Sequence, residues 1–173
     1  MFKRVDANID LPSVESEISS YWDKINAFKT SVENRKNDKT FRFYDGPPFP
    51  TGSPHYGNLL AGVIKDIVPR YWTMRGYYVE RRFGWDVHGL PIEMEVQKKL
   101  NLEDPQQIDE YGIDKFNEAC RSQVQTNTEN WEKITRKIGR WVDFENDYKT
   151  MDIEFMESVW WVFKELWSKD LIY

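Results

Sequence analysis

A proline-rich segment near residue 50 dominates the local structure of this chain. Residues 45–54, with the sequence DGPPFPTGSP, contain four prolines and two glycines. Proline has no N–H to donate and fixes φ, so a segment this rich in proline cannot form a helix or a central strand. It must form a stiff loop, and its glycines allow the backbone to approach a ligand closely.

The sequence on either side of this loop predicts a parallel βαβ unit. Residues 40–44, TFRFY, alternate and are aromatic, which is typical of a short strand. From His55 to Gly76 apolar residues recur with a helical period, and Pro69 is expected to kink or interrupt that helix. Residues 77–83 alternate again and predict a second strand. A strand, a helix and a strand within about 45 residues indicate a right-handed crossover between parallel strands.

Helices are predicted before and after this unit. Residues 13–29 carry apolar side chains at three- and four-residue steps, which predicts an amphipathic helix. Three further helices are predicted at residues 105–120, 122–140 and 151–169. The last of these has a tryptophan-rich face, for which we expect packing in the core rather than a cofactor site.

Composition narrows the class of protein. No apolar run reaches the ~18 residues of a membrane span and the N-terminus lacks a signal-peptide core, so we expect no membrane association and a cytoplasmic location. The single cysteine, Cys120, cannot form an internal disulfide, which suits a reducing compartment. One cysteine and two histidines are too few for a structural zinc site in this chain. A net charge of −5 argues against extensive coating of nucleic acid.

The candidate functional residues lie where the two predicted strands end. Ligands of open α/β sheets bind outside the carboxyl ends of the strands, which lie on one edge in a parallel pair. The proline-rich loop of residues 45–54, here called the proline loop, and His55 follow the first predicted strand. Asp86 and His88 follow the second. The helix that begins near His55 is expected to offer unpaired N–H groups to a phosphate, and Asp86 suits an ammonium. The alternative interpretation is that both histidines have only structural roles. Even if they mark a site, a phosphate site beside a carboxylate is found in many kinds of enzyme, so these residues do not identify the reaction.

Two longer strings resemble class I aminoacyl-tRNA synthetases. The segment PFPTGSPHYGN, residues 48–58, resembles the HIGH motif in its extended form. It lies within FYDGPPFPTGSPHYGN and is followed by RRFGWDVHGLPIE at a distance similar to that in the family. DGPP together with GWDxHGLP resembles the isoleucine branch, since the leucine branch tends to have GWDAFGLP and the valine branch GTDHAGIATQ. The block IGRWVDFENDYKTMD is also similar to that branch, and the resemblance extends from about Val5 to Tyr173.

The resemblance implies a fold, a reaction and a set of partners. The fold would be the first half of a Rossmann-like α/β nucleotide-binding domain at residues 40–173, truncated before the editing insertion, with a helical extension at 1–39. The enzyme would join isoleucine and ATP, with Mg²⁺, into isoleucyl-adenylate and then transfer the aminoacyl group to isoleucine tRNA. The parent enzyme would be monomeric, and any zinc would lie in its C-terminal part.

The resemblance also assigns individual residues, all by motif position. ATP would be contacted by Gly52, His55, Gly57 and Asn58, with His55 and Asn58 as the catalytic pair. Isoleucine would be held by Gly46, Pro47 and Asp86, with Asp86 taking the ammonium and Pro47 the aliphatic side chain.

The chain departs from the family pattern at three points. Asn58 stands where histidine is usual, so the hydrogen bond expected from this position to a phosphate cannot be assisted by a positive charge. Pro50 stands where alanine is common, so the loop has one backbone N–H donor fewer. The second family signature, KMSKS, is absent, which indicates a fragment that is inactive alone and exposes apolar surface. Two alternatives remain: a non-catalytic module that binds nucleotide, tRNA or a protein partner, and a small stand-alone nucleotidyltransferase.

Overall fold

The computed structural model describes residues 8–173, so residues 1–7 of the predicted N-terminal extension lie outside the described residues. Within that range, seven helices and two strands follow one another. They are α1 (Leu11–Lys24), α2 (Ala27–Glu33), α3 (Tyr56–Met74), β1 (Arg82–Trp85), α4 (Leu90–Leu100), α5 (Pro105–Tyr111), α6 (Ile113–Lys137), β2 (Asp143–Lys149) and α7 (Ile153–Trp167). The chain divides into two compact units. One contains the residues up to Phe43 together with Ile67–Glu80, and the other contains Tyr44–Asp66 and Arg81–Tyr173.

The first unit corrects two expectations about local structure. The single helix expected at 13–29 is divided into α1 and α2 by Asn26, whose φ of +48° lies in the left-handed region that asparagine tolerates. The strand expected at 40–44 is reduced to one isolated parallel bridge between Thr40 and Tyr78. In that bridge the Phe41 N–H donates to the Tyr78 carbonyl and the Tyr78 N–H to the Lys39 carbonyl. A single pair of hydrogen bonds gives the parallel orientation that we expected but no regular strand.

Helix α3 begins directly after the proline loop, as predicted, and runs through Pro69. Of the kink or interruption expected at Pro69, the interruption is wrong: the 19-residue helix continues through the proline, which removes one hydrogen bond and whose ring is buried. The helix ends at Met74, and Gly76, two residues further on, has a φ of +87°. The Gly76 N–H donates to the Thr73 carbonyl and the Tyr77 N–H to the Trp72 carbonyl, so the predicted glycine terminator forms a Schellman cap.

The second unit contains the parallel sheet, and its second strand is one that sequence patterning did not predict. β1 pairs in parallel with β2, with Gly84 opposite Tyr148 and Trp85 opposite Lys149. β1 itself begins several residues later than the predicted strand at 77–83. The sequence of β2, DFENDYK, lacks apolar alternation. Its Asp143 Oδ1 accepts the Glu145 and Asn146 N–H groups within the strand, and its Asp147 accepts the Trp85 Nε1–H of β1. The predicted α/β class with parallel pairing is confirmed, although β1 and β2 supply the regular pair.

The core of this unit lies between the sheet and the helices that connect its strands. Its buried side chains are Phe83, Trp85, Val87, Ile92, Val124, Trp131 and Val142. Helix α4 was not predicted. Helices are present across the ranges predicted at 105–120 and 122–140, but the predicted division near residue 121 is wrong: α5 ends at Tyr111, and Gly112, with a φ of +100°, separates it from α6. Helix α5 begins with a capping box in which Asp104 and Gln107 bond to each other's backbone N–H.

Helix α7 does not contribute to the core. The tryptophan-rich face was expected to be buried, yet Trp160, Trp161 and Trp167 are 68%, 63% and 61% exposed. No residue of α7 is classed as buried, and Phe155 makes its ring contact with Tyr148 near the start of the helix. The expectation of core packing was therefore wrong for the described residues, whereas the expected exposure of apolar surface is observed. In residues 8–173 no helix has both the length and the apolar composition needed to cross a bilayer.

Gly84 is required by close packing across the sheet. A β-carbon at this position would collide with the ring of Tyr148 on the neighbouring strand. We therefore expect Gly84→Ala to lower the free energy of unfolding by at least the ~1–3 kcal/mol typical of overpacked cores. Urea denaturation followed by tryptophan fluorescence measures the change.

Gly62→Ala is the matched control for this substitution. A β-carbon at Gly62, inside α3, would meet the Ile138 side chain at an ordinary 3.7 Å. Alanine is favoured over glycine inside a helix by roughly 0.5–1 kcal/mol, so this variant should be neutral or more stable. Equal losses in the two variants would contradict the steric explanation.

Candidate functional site

The proline loop is anchored at its first residue by a buried ion pair. Asp45 is 1% exposed, and its Oδ2 lies 2.8 Å from the Arg140 Nη2. Its Oδ1 lies 2.8 Å from the Lys65 Nζ, and that ammonium also donates to the Gly46 carbonyl. Lys65, on α3, and Arg140, between α6 and β2, thus neutralise one buried carboxylate. This geometry fixes the first residue of the loop.

Tyr148 supports the same end of the loop from β2. Its hydroxyl donates to the Asp45 carbonyl at 2.7 Å, and its ring passes over Gly84. Burial raises the pKa of Tyr148 well above the usual tyrosine range, and a hydrogen bond with Tyr44 adds to the shift. The hydroxyl therefore remains a donor to the loop throughout the physiological pH range.

The raised pKa of Tyr148 predicts that the protein loses stability at alkaline pH. Near pH 10 the unfolded state releases the Tyr148 proton whereas the folded state keeps it, so the folded state binds more protons and stability falls as pH rises. The contribution is fully present below about pH 10. We expect the stability difference between the native chain and Tyr148→Phe to shrink as the pH rises from about 10 to about 11.5, as measured by urea denaturation. A difference that stays constant over this range would contradict the assignment.

The far end of the loop is held by α6. The Trp131 Nε1–H donates to the Gly52 carbonyl at 2.8 Å, and the Asn130 amide lies 3.4 Å from the Ser53 hydroxyl. Gly52 is exposed and has a φ of +56°, a conformation that side chains disfavour. The predicted need for glycine at this position therefore has a backbone cause.

The middle of the loop is bonded directly to the exit of β1. The Asp86 N–H donates to the Pro48 carbonyl at 2.9 Å. Pro47, Pro48 and Asp86 are all half-buried. This single bond joins the segment that leads to His55 with the segment that carries Asp86 and His88. The two segments are therefore in direct contact at Pro48 and Asp86.

His55 is the N-cap of α3. Its Nδ1 accepts from the Gly57 N–H at 3.1 Å and lies 3.4 Å from the Asn58 nitrogen. The Asn58 Oδ1 in turn accepts from the His55 N–H at 3.0 Å, which completes a reciprocal capping box. The expectation that these N–H groups are unpaired was wrong, because the histidine ring occupies them.

The cap determines what His55 and Asn58 can offer to a ligand. An Nδ1 that accepts hydrogen bonds places the ring proton on Nε2, so the exposed edge of His55 is a donor. Asn58 uses its carbonyl oxygen in the cap, which leaves its amide NH₂ as the donor. A β-carbon on Gly57 would lie 3.0 Å from the His55 Cε1, so a side chain there would displace the ring. The HxGN spacing is thus a structural requirement of this cap.

The second cluster follows β1 and β2. The Thr150 hydroxyl lies 2.7 Å from the His88 Nδ1 and 3.5 Å from the Asp86 Oδ1, and it accepts the Val87 N–H at 3.0 Å. His88 is exposed, whereas Thr150 is buried. Sequence reasoning assigned a role to Asp86, placed His88 at the same edge without a role, and missed Thr150.

The other supporting residues were also missed. They are Lys65, Trp131, Arg140 and Tyr148. Arg140, Tyr148 and Thr150 all lie in the block IGRWVDFENDYKTMD, whose family resemblance was the available signal. Nothing in their spacing indicates that they converge on the loop.

A small pocket lies behind the loop, between α3 and α6. Its lining includes Pro48, Asn58, Lys65, Phe83 and Trp131. Of the seven predicted ligand-binding residues it contains Asn58, whereas the others lie on the exposed or half-buried outer surface. Among residues 8–173 no three His, Cys, Asp or Glu side chains come together in a group that could hold a metal ion.

Comparisons with known proteins agree on the family. Residues 17–173 match the family model described as tRNA synthetases class I (I, L, M and V). The chain is 53% identical to the isoleucine–tRNA ligase of Treponema denticola over 173 residues, which are 100% of this chain and 16% of that protein. It is 56% identical to the cytoplasmic isoleucine–tRNA ligase of Arabidopsis thaliana over 162 residues, which are 94% of this chain and 14% of that protein.

A solved structure shares the fold. The ternary complex of an Agrobacterium radiobacter LeuRS with tRNA and LeuAMS superposes with a TM-score of 0.66 over 96% of this chain and 19% of that chain, at 21% identity. The chain spans about a sixth of the length of the curated isoleucine–tRNA ligases that it matches. The family match extends over the loop, α3 and both strands of the candidate site. The chain belongs to the class I tRNA synthetases of the isoleucine, leucine, methionine and valine group.

Proposed function

We propose that the chain forms the front part of the catalytic domain of an isoleucine–tRNA ligase. The observation that carries the proposal is the bond between the Asp86 N–H and the Pro48 carbonyl, which places a carboxylate beside the loop that leads to the His55 cap. Relatives that are 53–56% identical over nearly the whole chain are isoleucine–tRNA ligases, which supports isoleucine among the four amino acids of the family.

The first chemical step would be an in-line displacement at phosphorus. The isoleucine carboxylate attacks the α-phosphorus of ATP, a new C–O–P linkage forms, and the bond to pyrophosphate breaks. The protein needs to position the reactants and stabilise developing charge rather than supply a covalent group. In the second step the tRNA terminal ribose hydroxyl displaces AMP from the adenylate.

The nucleotide would lie at the start of α3. The His55 Nε2–H and the Asn58 NH₂ are donors on this surface, and the dipole of α3 adds positive potential for phosphate oxygens. Gly52 and Gly57 would permit close approach of the adenosine, since neither carries a side chain. Mg²⁺ would accompany the ATP phosphates.

The amino acid would lie at the exit of β1. Gly46, Pro47 and Asp86 would hold isoleucine, with Asp86 binding the ammonium and Pro47 touching the aliphatic side chain. Asp86 is half-buried, so its charge is less screened than that of a surface carboxylate. The loop backbone is fixed at both ends by Asp45 and Gly52, which limits the rearrangement that binding would require.

The proposal extends to organisation and partners. Residues 1–39 would form an extension and residues 40–173 the first half of the catalytic domain, a functional division that differs from the two compact units. Isoleucine tRNA would be the acceptor, and the full-length ligase would be a monomeric enzyme of the cytoplasm.

Amino-acid-dependent exchange of pyrophosphate into ATP by the full-length ligase tests this function. We expect exchange with isoleucine, weaker exchange with valine, and none of comparable efficiency with leucine or methionine. One methylene in an apolar pocket is worth about 1–3 kcal/mol, and the isoleucine–valine pair is itself the established example of this limit. More efficient exchange with leucine or methionine would refute the specificity.

One observation favours a second candidate, a non-catalytic module that binds nucleotide, tRNA or a protein partner. Asn58 cannot carry the positive charge of the histidine that is usual in the motif. A full-length protein that binds ATP yet exchanges no pyrophosphate with any of the four amino acids would support this candidate.

A further inference from the structure

The hydroxyl of Thr150 is the meeting point of the Asp86 and His88 side chains. It follows β2, and Thr150 is only 6% exposed. The Thr150 N–H donates to the Trp85 carbonyl at 3.0 Å, which fixes the backbone beside the end of β1. The hydroxyl oxygen lies within 3.0 Å of the Val87 nitrogen, 2.7 Å of the His88 Nδ1 and 3.5 Å of the Asp86 Oδ1.

The chemistry of a hydroxyl limits how these three contacts can be made. A threonine hydroxyl has one proton to donate and two lone pairs that accept. The Val87 N–H occupies one lone pair. If the proton pointed to the His88 Nδ1, the carboxylate oxygen of Asp86 would face the other lone pair with no proton between them. If the proton points to the charged carboxylate, which is the stronger acceptor, the second lone pair can accept an N–H from His88.

We infer that Thr150 is a positioning residue that orients the Asp86 carboxylate and holds the neutral His88 ring with its proton on Nδ1. The relay runs from the His88 Nδ1–H to the Thr150 oxygen, and from the Thr150 hydroxyl to the Asp86 Oδ1. The hydroxyl proton and both lone pairs of the Thr150 oxygen are then used in hydrogen bonds. The two histidines of the chain consequently have opposite tautomers, because the His55 Nδ1 accepts from the backbone.

The consequence for the substrate rests on the proposed function. Because Thr150 holds the Asp86 Oδ1, the carboxylate has a fixed orientation and its Oδ2 is already placed to bind an ammonium. Binding then costs less side-chain conformational entropy. The His88 Nε2, which carries no proton in this tautomer, is a second acceptor on the same segment. An ammonium has three N–H donors to satisfy, so an acceptor in addition to the carboxylate suits it.

Nitrogen NMR of the histidine rings tests the relay in the 173-residue chain itself. The sequence contains only two histidines, so ¹⁵N-histidine labelling gives two ring patterns, and His55→Asn assigns them. At about pH 8.5, two units above the ordinary pKa of histidine, we expect the Nδ1–H pattern for His88 and the Nε2–H pattern for His55. An Nε2–H pattern for His88 in the native chain would overturn the inference, because the hydroxyl would then donate to the ring.

Two variants separate the hydroxyl from the shape of the side chain. Thr150→Val removes the hydroxyl and should move His88 to the Nε2–H pattern, whereas Thr150→Ser keeps the hydroxyl and should retain Nδ1–H. The His55 pattern should be unchanged in both variants, which verifies that the loop and α3 are folded. A His88 pattern that does not respond to valine overturns the relay, and the native and serine spectra decide even if the valine variant does not fold.

Kinetics of the full-length ligase test the effect on the amino acid. In pyrophosphate exchange, Thr150→Val should raise the KM for isoleucine by up to about tenfold, the effect of one lost hydrogen bond, with the KM for ATP within about twofold. Thr150→Ser should restore most of the loss. Equal rises in both KM values would overturn the positioning role. If the native ligase shows no isoleucine-dependent exchange, the proposed function fails, while the NMR result still decides the relay.

Discussion

Replacing Asp86 by asparagine in the full-length ligase is expected to raise the KM for isoleucine by about 10- to 100-fold, with little change in the KM for ATP. The substitution keeps the size of the side chain and removes the charge that would pair with the ammonium. A hydrogen bond to a charged group contributes about 1.5–3 kcal/mol, which sets this range. Pyrophosphate exchange with varied isoleucine at saturating ATP, and then with varied ATP, measures both constants.

Asp109→Asn provides the matched control for this experiment. Asp109 is exposed on α5, and the same chemical change there should leave both constants within about twofold. An equal rise in the two KM values for Asp86→Asn would remove the assigned ammonium role. A rise in the ATP constant alone would place Asp86 at the nucleotide.

Replacing Arg140 by methionine is expected to lower the free energy of unfolding by about 3 kcal/mol. Breaking a buried pair costs roughly 3–5 kcal/mol because it leaves an uncompensated charge. The lower end applies because Lys65 still faces the Asp45 Oδ1 at 2.8 Å. Methionine keeps the aliphatic stem but removes the guanidinium, whose carbon lies 5.0 Å from the centre of the Phe83 ring, so this cation–π contact is lost together with the ion pair. Urea denaturation of the 173-residue chain, followed by tryptophan fluorescence, gives the change.

Arg136→Met is the control for that measurement. Arg136 forms a salt bridge with Glu132 on the same helix, but their side chains are 57% and 36% exposed. Exposed pairs contribute about 0–1 kcal/mol, so this variant should be nearly as stable as the native chain. Similar losses in the two variants would show that the ion pair at Asp45 does not anchor the loop.

The sequence predicted those parts of the site that depend on local backbone chemistry. The prolines of residues 45–54 required a loop, the apolar period after His55 required α3, and Gly76 ended it, each through rules that act over a few residues. The α/β class with parallel pairing followed from the order of the predicted elements and is confirmed.

The cap of α3 shows how local prediction can fail within a correctly placed element. The position of His55 at the helix start was predicted, but its ring was not expected to accept the Gly57 N–H. Serine, threonine, aspartate and asparagine are the usual caps, so sequence rules give histidine no such role. The sequence predicted backbone N–H groups as the donors to a ligand, whereas in the structure the donors are the His55 and Asn58 side chains.

The amino-acid sequence by itself determined where the chain must turn, where α3 begins and ends, and which family the chain resembles, because these depend on residues that are neighbours in the sequence. Tertiary structure decided the rest. β2 became a strand because it pairs with β1, Arg140 and Lys65 became anchors because Asp45 is buried between them, and Thr150 reached Asp86 and His88 from 62 to 64 residues away. Burial and pairing between distant segments set these roles, and no local pattern encodes which distant partner a polar side chain will meet.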